Sequence, residues 1–207
     1  MTPYRLYNRI GSGGFVVEAA LALAEADFEL EELDSRPSTP LPESFRQHNP
    51  WGQVPTLILP NGSTMSETAA ILIHLAACHP DKPLGPTPGT AAHAQFLRWM
   101  VFANVNVYEA ILRRPYTERY TTDPNGLDAV REAATLRQGE ALSVLEAEIA
   151  TGPFLLGSDM TVLDVYVAML LTWYNGDTAF LKLDTLKAGV KTDGTVGPIW
   201  RRHFGDR

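Results

Sequence analysis

Two stretches of this sequence place a hydroxyl side chain where a strand gives way to a helix. Gly11-Ser12-Gly13-Gly14 follows the short strand pattern Arg5-Leu6-Tyr7, and Ser66-Glu67-Thr68 follows a later extended run. The first amide groups of a helix have no partners within it, and the helix dipole adds positive potential, so such turns attract anions. Ser and Thr are also common helix caps. The residues alone therefore predict either anion-binding turns or capped helices.

The turn Asn61-Gly62 stands between the apolar run Thr56 to Leu59 and the run Ser63 to Met65. Asn-Gly between two such runs is the strongest short-range signal for a β-hairpin. The last two strands of the first half are therefore predicted to be antiparallel. This excludes a purely parallel dinucleotide-binding sheet.

The rest of the first half alternates strand and helix patterns. A strand at Arg5–Tyr7 leads into a helix with an apolar face through Leu23, and Phe28–Leu33 alternates as a second strand. A Pro-rich stretch from Arg36 to Pro42 predicts a loop, which leads to a short helical turn at Glu43–His48. With the hairpin and a following helix, the predicted order is β-α-β-α-β-β-α, which is thioredoxin-like.

The second half reads as almost entirely helical. Pro and Gly are concentrated between Pro80 and Gly89, which predicts a linker at 81–90 between a domain at 1–80 and a helical domain at 91–207. One long helix is predicted from Phe96 towards Ile111 and a second from about Leu127 to Ile149. A third opens on Thr161-Val162-Leu163-Asp164, a variant of the capping box.

Composition narrows the class of protein. The chain has 207 residues, 45% hydrophobic content and a formal net charge of -7, without a cluster of Lys or Arg. A net negative charge disfavours nucleic acid and anionic membrane surfaces as partners. The single cysteine, Cys78, cannot form an internal disulfide, which favours a reducing, cytoplasmic compartment.

Three motifs together carry a family resemblance. They are Asn49-Pro50-Trp51-Gly52-Gln53-Val54-Pro55-Thr56-Leu57, Ser66-Glu67-Thr68-Ala69-Ala70-Ile71 and Thr161-Val162-Leu163-Asp164. With their order and spacing, the chain resembles the cytosolic glutathione S-transferase superfamily over nearly its whole length. The resemblance implies an N-terminal thioredoxin fold that holds glutathione, a C-terminal helical bundle that supplies a second-substrate pocket, and a homodimer.

The resemblance also implies a glutathione site. In the family the bond corresponding to Val54-Pro55 is cis and leaves the Val54 backbone as a free strand edge, on which the cysteinyl unit of glutathione pairs. The Thr68 N–H and hydroxyl would bind the γ-glutamyl carboxylate, and the Glu67 carboxylate would pair with the ammonium group. Gln53 matches a position that often reaches the glycyl end.

Ser12 falls where serine-type members carry a thiol-activating serine, so the resemblance assigns it the catalytic role. Lowering the pKa of a thiol from about 8.5 by about two units takes roughly 2.7 kcal/mol. A hydroxyl hydrogen bond to a charged group contributes about 1.5–3 kcal/mol, and the helix N-terminus adds to it. Tyr7, a first-strand tyrosine, and the backbone N–H groups of Gly13 and Gly14 are the alternatives. No metal or redox cofactor is expected.

The resemblance further implies that aromatic residues line the pocket for a hydrophobic electrophile. The candidates are Phe15, Trp99, Phe102, Tyr108 and Tyr116. Aromatic residues at helical spacing are also typical of simple core, and the sequence leaves both roles open. The predicted reaction is attack of a glutathione thiolate on that electrophile.

Two other functions are weighed against this one. The glycines around Ser12 imitate a dinucleotide-binding motif, but Val16 occupies the third glycine position and the hairpin breaks the parallel sheet. A non-catalytic module of the same fold could bind glutathione or another protein without turnover. Glu67, Thr68 and Val54 would keep their use in such a module, whereas Ser12 would lose its role.

Overall fold

The computed structural model describes residues 2–34, 39–149 and 152–207. The chain forms two compact units, one of residues 1–88 and 191–207 and the other of residues 89–190. The residues from Lys191 onward thus group with the first unit, whereas the sequence pattern placed them in the helical domain. The domain limits drawn from sequence stay a prediction. Residues 36–38 of the predicted loop lie outside the described residues.

The first unit has the predicted thioredoxin-like order of elements. The strands are β1 (Tyr4–Asn8), β2 (Phe28–Glu32), β3 (Thr56–Ile58) and β4 (Thr64–Met65), and the helices are α1 (Gly14–Leu23), α2 (Glu43–His48) and α3 (Thr68–Cys78). The strands form one sheet in the order β2-β1-β3-β4. β1 is parallel to β2 and antiparallel to β3, and β4 is antiparallel to β3. The predicted mixed sheet is confirmed.

The hairpin between β3 and β4 forms where Asn61-Gly62 predicted it. Gly62 has a φ of +84°, and its N–H donates to the Leu59 carbonyl at 2.8 Å. The Asn61 Oδ1 accepts a hydrogen bond from Ser63 N–H at 2.9 Å. A positive φ costs glycine little, so this turn is a local consequence of its sequence.

The two faces of the sheet bury different residues of β1. Leu6 pairs directly with Leu57 of β3, and both are fully buried. Tyr7 lies on the opposite face, where it packs with Leu33 and with Phe45 of α2. Successive side chains of a strand point to opposite faces, so Asn8 shares the face of Leu6, on which α1 lies.

The second unit is helical. Its helices are α4 (Ala91–Phe102), α5 (Glu109–Arg113), α6 (Leu127–Glu148), α7 (Val162–Leu171) and most of α8 (Leu181–Thr192), whereas α9 (Val196–Phe204) belongs to the first unit. A π-helical segment, Ala103–Tyr108, joins α4 to α5. The single long helix predicted from Phe96 to Ile111 is thus three consecutive helical segments. The prediction for α6 is confirmed.

The structure confirms the capping box at the start of α7. The Asp164 carboxylate accepts hydrogen bonds from Thr161 N–H at 2.8 Å, from the Thr161 hydroxyl at 3.0 Å and from Leu155 N–H at 2.8 Å. Asp164 is completely buried, as is most of α7. The carboxylate therefore ties the preceding loop to the most buried helix of the second unit.

Replacing Thr161 with alanine is expected to lower the free energy of unfolding by about 0.5–2 kcal/mol, because the substitution removes the N-cap hydroxyl. Chemical denaturation measures this loss. Thr185→Ala is the matched control, since Thr185 is exposed in α8 and its hydroxyl donates to the Leu181 carbonyl one turn earlier. Equal stability of Thr161→Ala and the wild type would contradict the capping role.

None of the helices in the described residues is long and apolar enough to cross a membrane. The apolar helix α7 spans 10 residues, compared with the roughly 20 that a bilayer requires. Within the same described ranges, His, Cys, Asp and Glu side chains form no group of three that could hold a metal ion.

Candidate functional site

The topology brings the predicted site segments to one edge of the sheet. Tyr7, near the end of β1, pairs with Thr56 at the start of β3, and Leu57 of β3 pairs with Met65 at the end of β4. The turn after β1, the Val54-Pro55 bond before β3 and Glu67-Thr68 after β4 therefore all lie at this edge. Three segments that are distant in sequence meet because the hairpin reverses the chain.

The Ser12 side chain occupies the turn between β1 and α1. Its hydroxyl donates to Asn8 Oδ1 at 3.1 Å and accepts a hydrogen bond from Gly14 N–H at 3.2 Å. Ser12 thus contributes to the cap of α1, one of the two roles that the sequence left open. A bound thiolate would replace Asn8 as the acceptor of the Ser12 hydrogen bond, because a serine hydroxyl has only one proton to donate.

The backbone amide groups in this turn differ from each other. The Gly14 N–H is already bonded to Ser12, whereas the buried Gly13 N–H has no hydrogen-bond partner among the described residues. Gly13 is the N-cap of α1. Of the two backbone donors that the sequence proposed, Gly13 is therefore the one available to an anion.

Asn8 organises the turn, and sequence reasoning missed it. Its side chain is completely buried, and its Oδ1 accepts from Arg9 N–H at 2.7 Å as well as from Ser12. A Cβ atom on residue 14 would lie 1.8 Å from Asn8 Oδ1, so only glycine fits at Gly14. A polar residue that ends an apolar strand four positions before Ser12 is the signal that could have found it.

The Val54-Pro55 bond is cis, as the resemblance implied. Asn49 holds the loop before it, since its Nδ2 donates to the Gln53 carbonyl and to Thr56 Oγ1, each at 2.9 Å. In the part of the chain that the structure describes, the Val54 N–H and carbonyl make no backbone hydrogen bond. The Val54 backbone is therefore open to a ligand, and the neighbouring Gln53 side chain is exposed.

Glu67 and Thr68 form the entrance to α3. Glu67 has a φ of +69°, a strained value for a residue with a side chain, and such strain clusters at functional sites. Its side chain is exposed and has no ion-pair partner within residues 2–34, 39–149 and 152–207. No side chain caps the N-terminus of α3, where Thr68 is the first residue. The first amide groups of α3 are therefore available to an anion.

Tyr7 is placed differently from Ser12. It is 2% exposed, and its ring packs 5.2 Å from the ring of Phe45 and 5.8 Å from that of His48. A hydrogen bond to the Tyr7 side chain and the Glu29 carboxylate both raise the pKa of the exposed Arg5 guanidinium. This placement favours a structural role, and a catalytic role for Tyr7 stays a prediction.

The aromatic residues predicted for the second-substrate pocket have unequal exposure. Phe15 and Trp99 are buried, with the Phe15 ring edge-on to Trp200 and Phe204 of α9. In the second unit, Phe102 and Tyr108 are half-buried, and Tyr116 is 38% exposed beneath the Arg119 guanidinium. The packing of Phe15 favours a core role. The pocket role of all five residues stays a prediction.

Charged groups near the Ser12 turn were also missed from sequence. Arg9 has no ion-pair partner among the described residues, and its buried Nε atom has no hydrogen-bond partner there. Glu18 of α1 is buried and contacts Arg202 and His203 of α9. These last contacts join residues about 185 positions apart, a separation at which local sequence patterns carry no signal.

Comparison with known proteins agrees with this architecture. Residues 16–78 match the family model described as glutathione S-transferase, N-terminal domain, and residues 128–204 match glutathione S-transferase, C-terminal domain. The uncharacterized GST-like protein YncG of Escherichia coli K12 is 28% identical over 177 residues, which cover 85% of this chain and 84% of the relative.

Two solved structures are also similar. A glutathione transferase homologue from Sulfitobacter with bound glutathione superposes with a TM-score of 0.84 at 24% identity, covering 96% of this chain and 97% of that one. A sphingomonad glutathione S-transferase complexed with glutathione superposes with a TM-score of 0.80 at 26% identity, covering 95% and 97% of the two chains. The first likeness shows the fold, and both neighbours hold glutathione.

Proposed function

Because the chain belongs to the cytosolic glutathione S-transferase superfamily, we propose that it is an enzyme that transfers glutathione to a hydrophobic electrophile. The observation that carries the proposal is the convergence of the Ser12 turn, the open Val54 backbone and the uncapped N-terminus of α3 at one sheet edge. The family membership rests on both family matches. The identity of the electrophile, a homodimer and a cytoplasmic location remain part of the proposal.

Each part of the tripeptide has a partner of suitable chemistry at this edge. The cysteinyl backbone pairs with the Val54 N–H and carbonyl as an added strand. The γ-glutamyl carboxylate binds the first amide groups of α3 and the Thr68 hydroxyl, and Glu67 pairs with the γ-glutamyl ammonium group. Gln53, whose side chain is exposed next to Val54, contacts the glycyl end.

The sulfur of glutathione then lies at the turn after β1. Ser12 donates a hydrogen bond to the thiolate through its hydroxyl, and the Gly13 N–H adds a second donor at the N-terminus of α1. Two hydrogen bonds to a charged group lower the pKa of the thiol, because they stabilise the thiolate and not the thiol. The thiolate attacks the electrophilic atom, a new bond to sulfur forms and the leaving group departs with its electron pair.

A conjugation assay on protein retained by immobilised glutathione tests this proposal. Retention together with turnover of a model electrophile such as a chlorodinitrobenzene supports the enzyme. Retention without turnover of any electrophile class would instead favour the non-catalytic glutathione-binding module. That second function has one observation in its favour, since the Ser12 hydroxyl already caps α1 in the structure. Loss of retention would overturn both.

Replacing Thr68 with valine is expected to weaken glutathione binding about tenfold, because valine keeps the shape of threonine and removes one hydrogen bond to a carboxylate. Isothermal titration calorimetry measures the dissociation constant. Thr64→Val is the matched control, since Thr64 is exposed in β4 and belongs to no proposed contact. Equal affinity of Thr68→Val and the wild type would remove Thr68 from the site.

A further inference from the structure

Buried polar contacts link helix α9, close to the end of the chain, to the turn that carries Ser12. His203 of α9 accepts a hydrogen bond from Gly11 N–H through Nδ1 at 3.1 Å, and its Nε2 lies 3.0 Å from Glu18 Oε2. The His203 side chain is fully buried and that of Glu18 is 8% exposed. The contact to Glu18 is thus shielded from water and the contact to Gly11 is partly shielded. Hydrogen bonds in a buried environment are stronger than those at the surface.

The partners of His203 fix its tautomer. A backbone N–H only donates, so Nδ1 must accept the bond from Gly11, and in the neutral imidazole Nε2 carries the proton that faces Glu18. The Arg202 guanidinium, which pairs with the same carboxylate, lies 3.2 Å from Nε2. The rings of Phe15 and Phe204 pack around the imidazole at 5.4 and 5.8 Å. The imidazole therefore joins an amide of the turn to a carboxylate of α1 in one defined orientation.

A second route runs from Glu18 to Ser12 through Asn8. Glu18 Oε2 accepts hydrogen bonds from Asn8 Nδ2 at 3.5 Å and from His203, and it also pairs with the guanidinium of Arg202. Because the Asn8 amide nitrogen faces Glu18, its oxygen faces the Ser12 hydroxyl at 3.1 Å. Glu18 and the Arg9 N–H, which donates to Asn8 Oδ1 at 2.7 Å, thus together orient the amide that holds the Ser12 side chain.

We propose that His203 is a positioning residue of the thiol site. It holds the Gly11 end of the Ser12 turn directly, and through Glu18 and Asn8 it helps to hold the Ser12 hydroxyl in place before glutathione binds. This inference rests on the proposed role of Ser12 in stabilising the glutathione thiolate. His203 itself touches neither glutathione nor the electrophile, so its effect reaches the sulfur only through the geometry of the turn.

The position of Gly11 explains why the turn depends on α9. Gly11 has a φ of +72°, and its N–H is directed to the His203 ring, while a Cβ atom on residue 11 would lie 3.7 Å from the His203 carbonyl oxygen. The turn therefore packs against the backbone of α9, and the His203 side chain binds it through one hydrogen bond. Without the His203 side chain, the Gly11 N–H loses its partner, and the turn keeps the bond from Ser12 N–H to the Arg9 carbonyl.

Three substitutions of His203 separate the two routes. His203→Phe keeps a ring in the aromatic cluster and removes both hydrogen bonds. His203→Asn places an amide oxygen close to the position of Nδ1 and keeps an acceptor for Gly11, whereas His203→Gln reaches Glu18 and loses that acceptor. The readout is the pH dependence of the ultraviolet absorbance of bound glutathione thiolate, together with kcat and KM for glutathione.

We expect His203→Phe to raise the pKa of the bound thiol by about one unit and to lower kcat about tenfold below that pKa, with KM for glutathione within about twofold of the wild type. His203→Asn is expected to retain more activity than His203→Gln, because the direct bond to Gly11 is kept. A wild-type thiol pKa and kcat in all three variants would overturn the proposal. The two amide variants keep it testable where His203→Phe does not fold.

Phe204→Leu is the matched control for packing. Phe204 lies next to His203 in α9 and contacts Phe15 in the same aromatic cluster, so its truncation is expected to lower the thermal stability without moving the thiol pKa. A shift in Phe204→Leu as large as in His203→Phe would show that loose packing causes the effect, and would overturn the positioning role. Failure of the proposed function is separate, since the wild type would then show no thiolate signal with glutathione.

Discussion

Alanine at position 12 is expected to raise the pKa of bound glutathione by about one to two units and to lower kcat/KM at neutral pH about 10- to 100-fold. The reason is that alanine removes the hydroxyl hydrogen bond that we propose stabilises the thiolate at this turn. Affinity for glutathione is expected to change little, because the contacts proposed for Val54, Glu67 and Thr68 with the rest of the tripeptide remain. The pH profiles of thiolate absorbance and of kcat/KM measure the two effects together.

Ser63→Ala is the matched control for Ser12→Ala, since Ser63 is exposed in the hairpin and its hydroxyl donates to Asn61 Oδ1. It is expected to leave both profiles unchanged. A wild-type profile for Ser12→Ala would assign the thiolate to the Gly13 N–H or to Tyr7. Tyr7→Phe then distinguishes these two, because it removes only the phenol hydroxyl.

Ser12→Ala also has an effect on stability that must be separated from catalysis. The hydroxyl accepts from Gly14 N–H and donates to Asn8, so alanine removes part of the cap of α1. The expected loss is about 0.5–2 kcal/mol in the free energy of unfolding. Rates are therefore compared at a temperature where denaturation curves show both proteins to be fully folded.

The features that were predictable from sequence depend on neighbours along the chain. Asn61-Gly62 specifies a hairpin because its backbone conformation is a property of those two residues. Thr161 and Asp164 specify a helix start because an N-cap and a residue three positions later meet within one turn. These local features, together with the family motifs around Val54 and Glu67, were sufficient to predict the order of the secondary-structure elements and the sheet edge at which the site segments meet.

The support of the Ser12 turn was not predictable in this way. His203 and Gly11 are 192 positions apart, and their contact depends on α9 packing against α1. The role of Asn8 was not predictable because it depends on the tertiary contact with Gly14, which has no side chain and so leaves room for that of Asn8. Both are consequences of tertiary packing, which sequence periodicity does not encode.

Phe15 shows the same limit for the second-substrate pocket. Its place just after the Ser12 turn suggested a role near the sulfur, yet its ring is fully buried against Trp200 and Phe204. Aromatic residues that line a pocket and those that fill a core obey the same helical spacing. Whether an aromatic residue lines a pocket or fills the core depends on the helix that packs against it, and for Phe15 that helix is α9.

Replacing Asp164 with asparagine is expected to destabilise the protein and to change how its stability depends on pH. The buried carboxylate accepts hydrogen bonds from two backbone N–H groups and a hydroxyl. An asparagine has one acceptor oxygen and turns an NH₂ group towards the remaining donors. The expected loss at neutral pH is about 1–3 kcal/mol in the free energy of unfolding, because buried donors are left unpaired.

The sign of the pH effect follows from the folded and unfolded pKa values. Burial raises the pKa of Asp164 from 3.8 to about 6, against the lowering effect of the donated hydrogen bonds. Between these values the folded chain binds more protons than the unfolded chain. This contribution to stability is therefore fully present below pH of about 4 and is lost as the pH rises through about 6, a change on the order of 1 to 3 kcal/mol.

Denaturation curves of the wild type and Asp164→Asn between pH 4 and 7 measure this contribution of Asp164 as the difference between their free energies of unfolding. The advantage of the wild type is expected to grow as the pH falls, because only the carboxyl group takes up a proton and the Thr161 hydroxyl can then accept from it. Asp159→Asn, an exposed neighbour, should show a pH-independent difference near zero. An advantage that shrinks on acidification would mean that the hydrogen bonds outweigh burial and that Asp164 stays ionised in the folded protein.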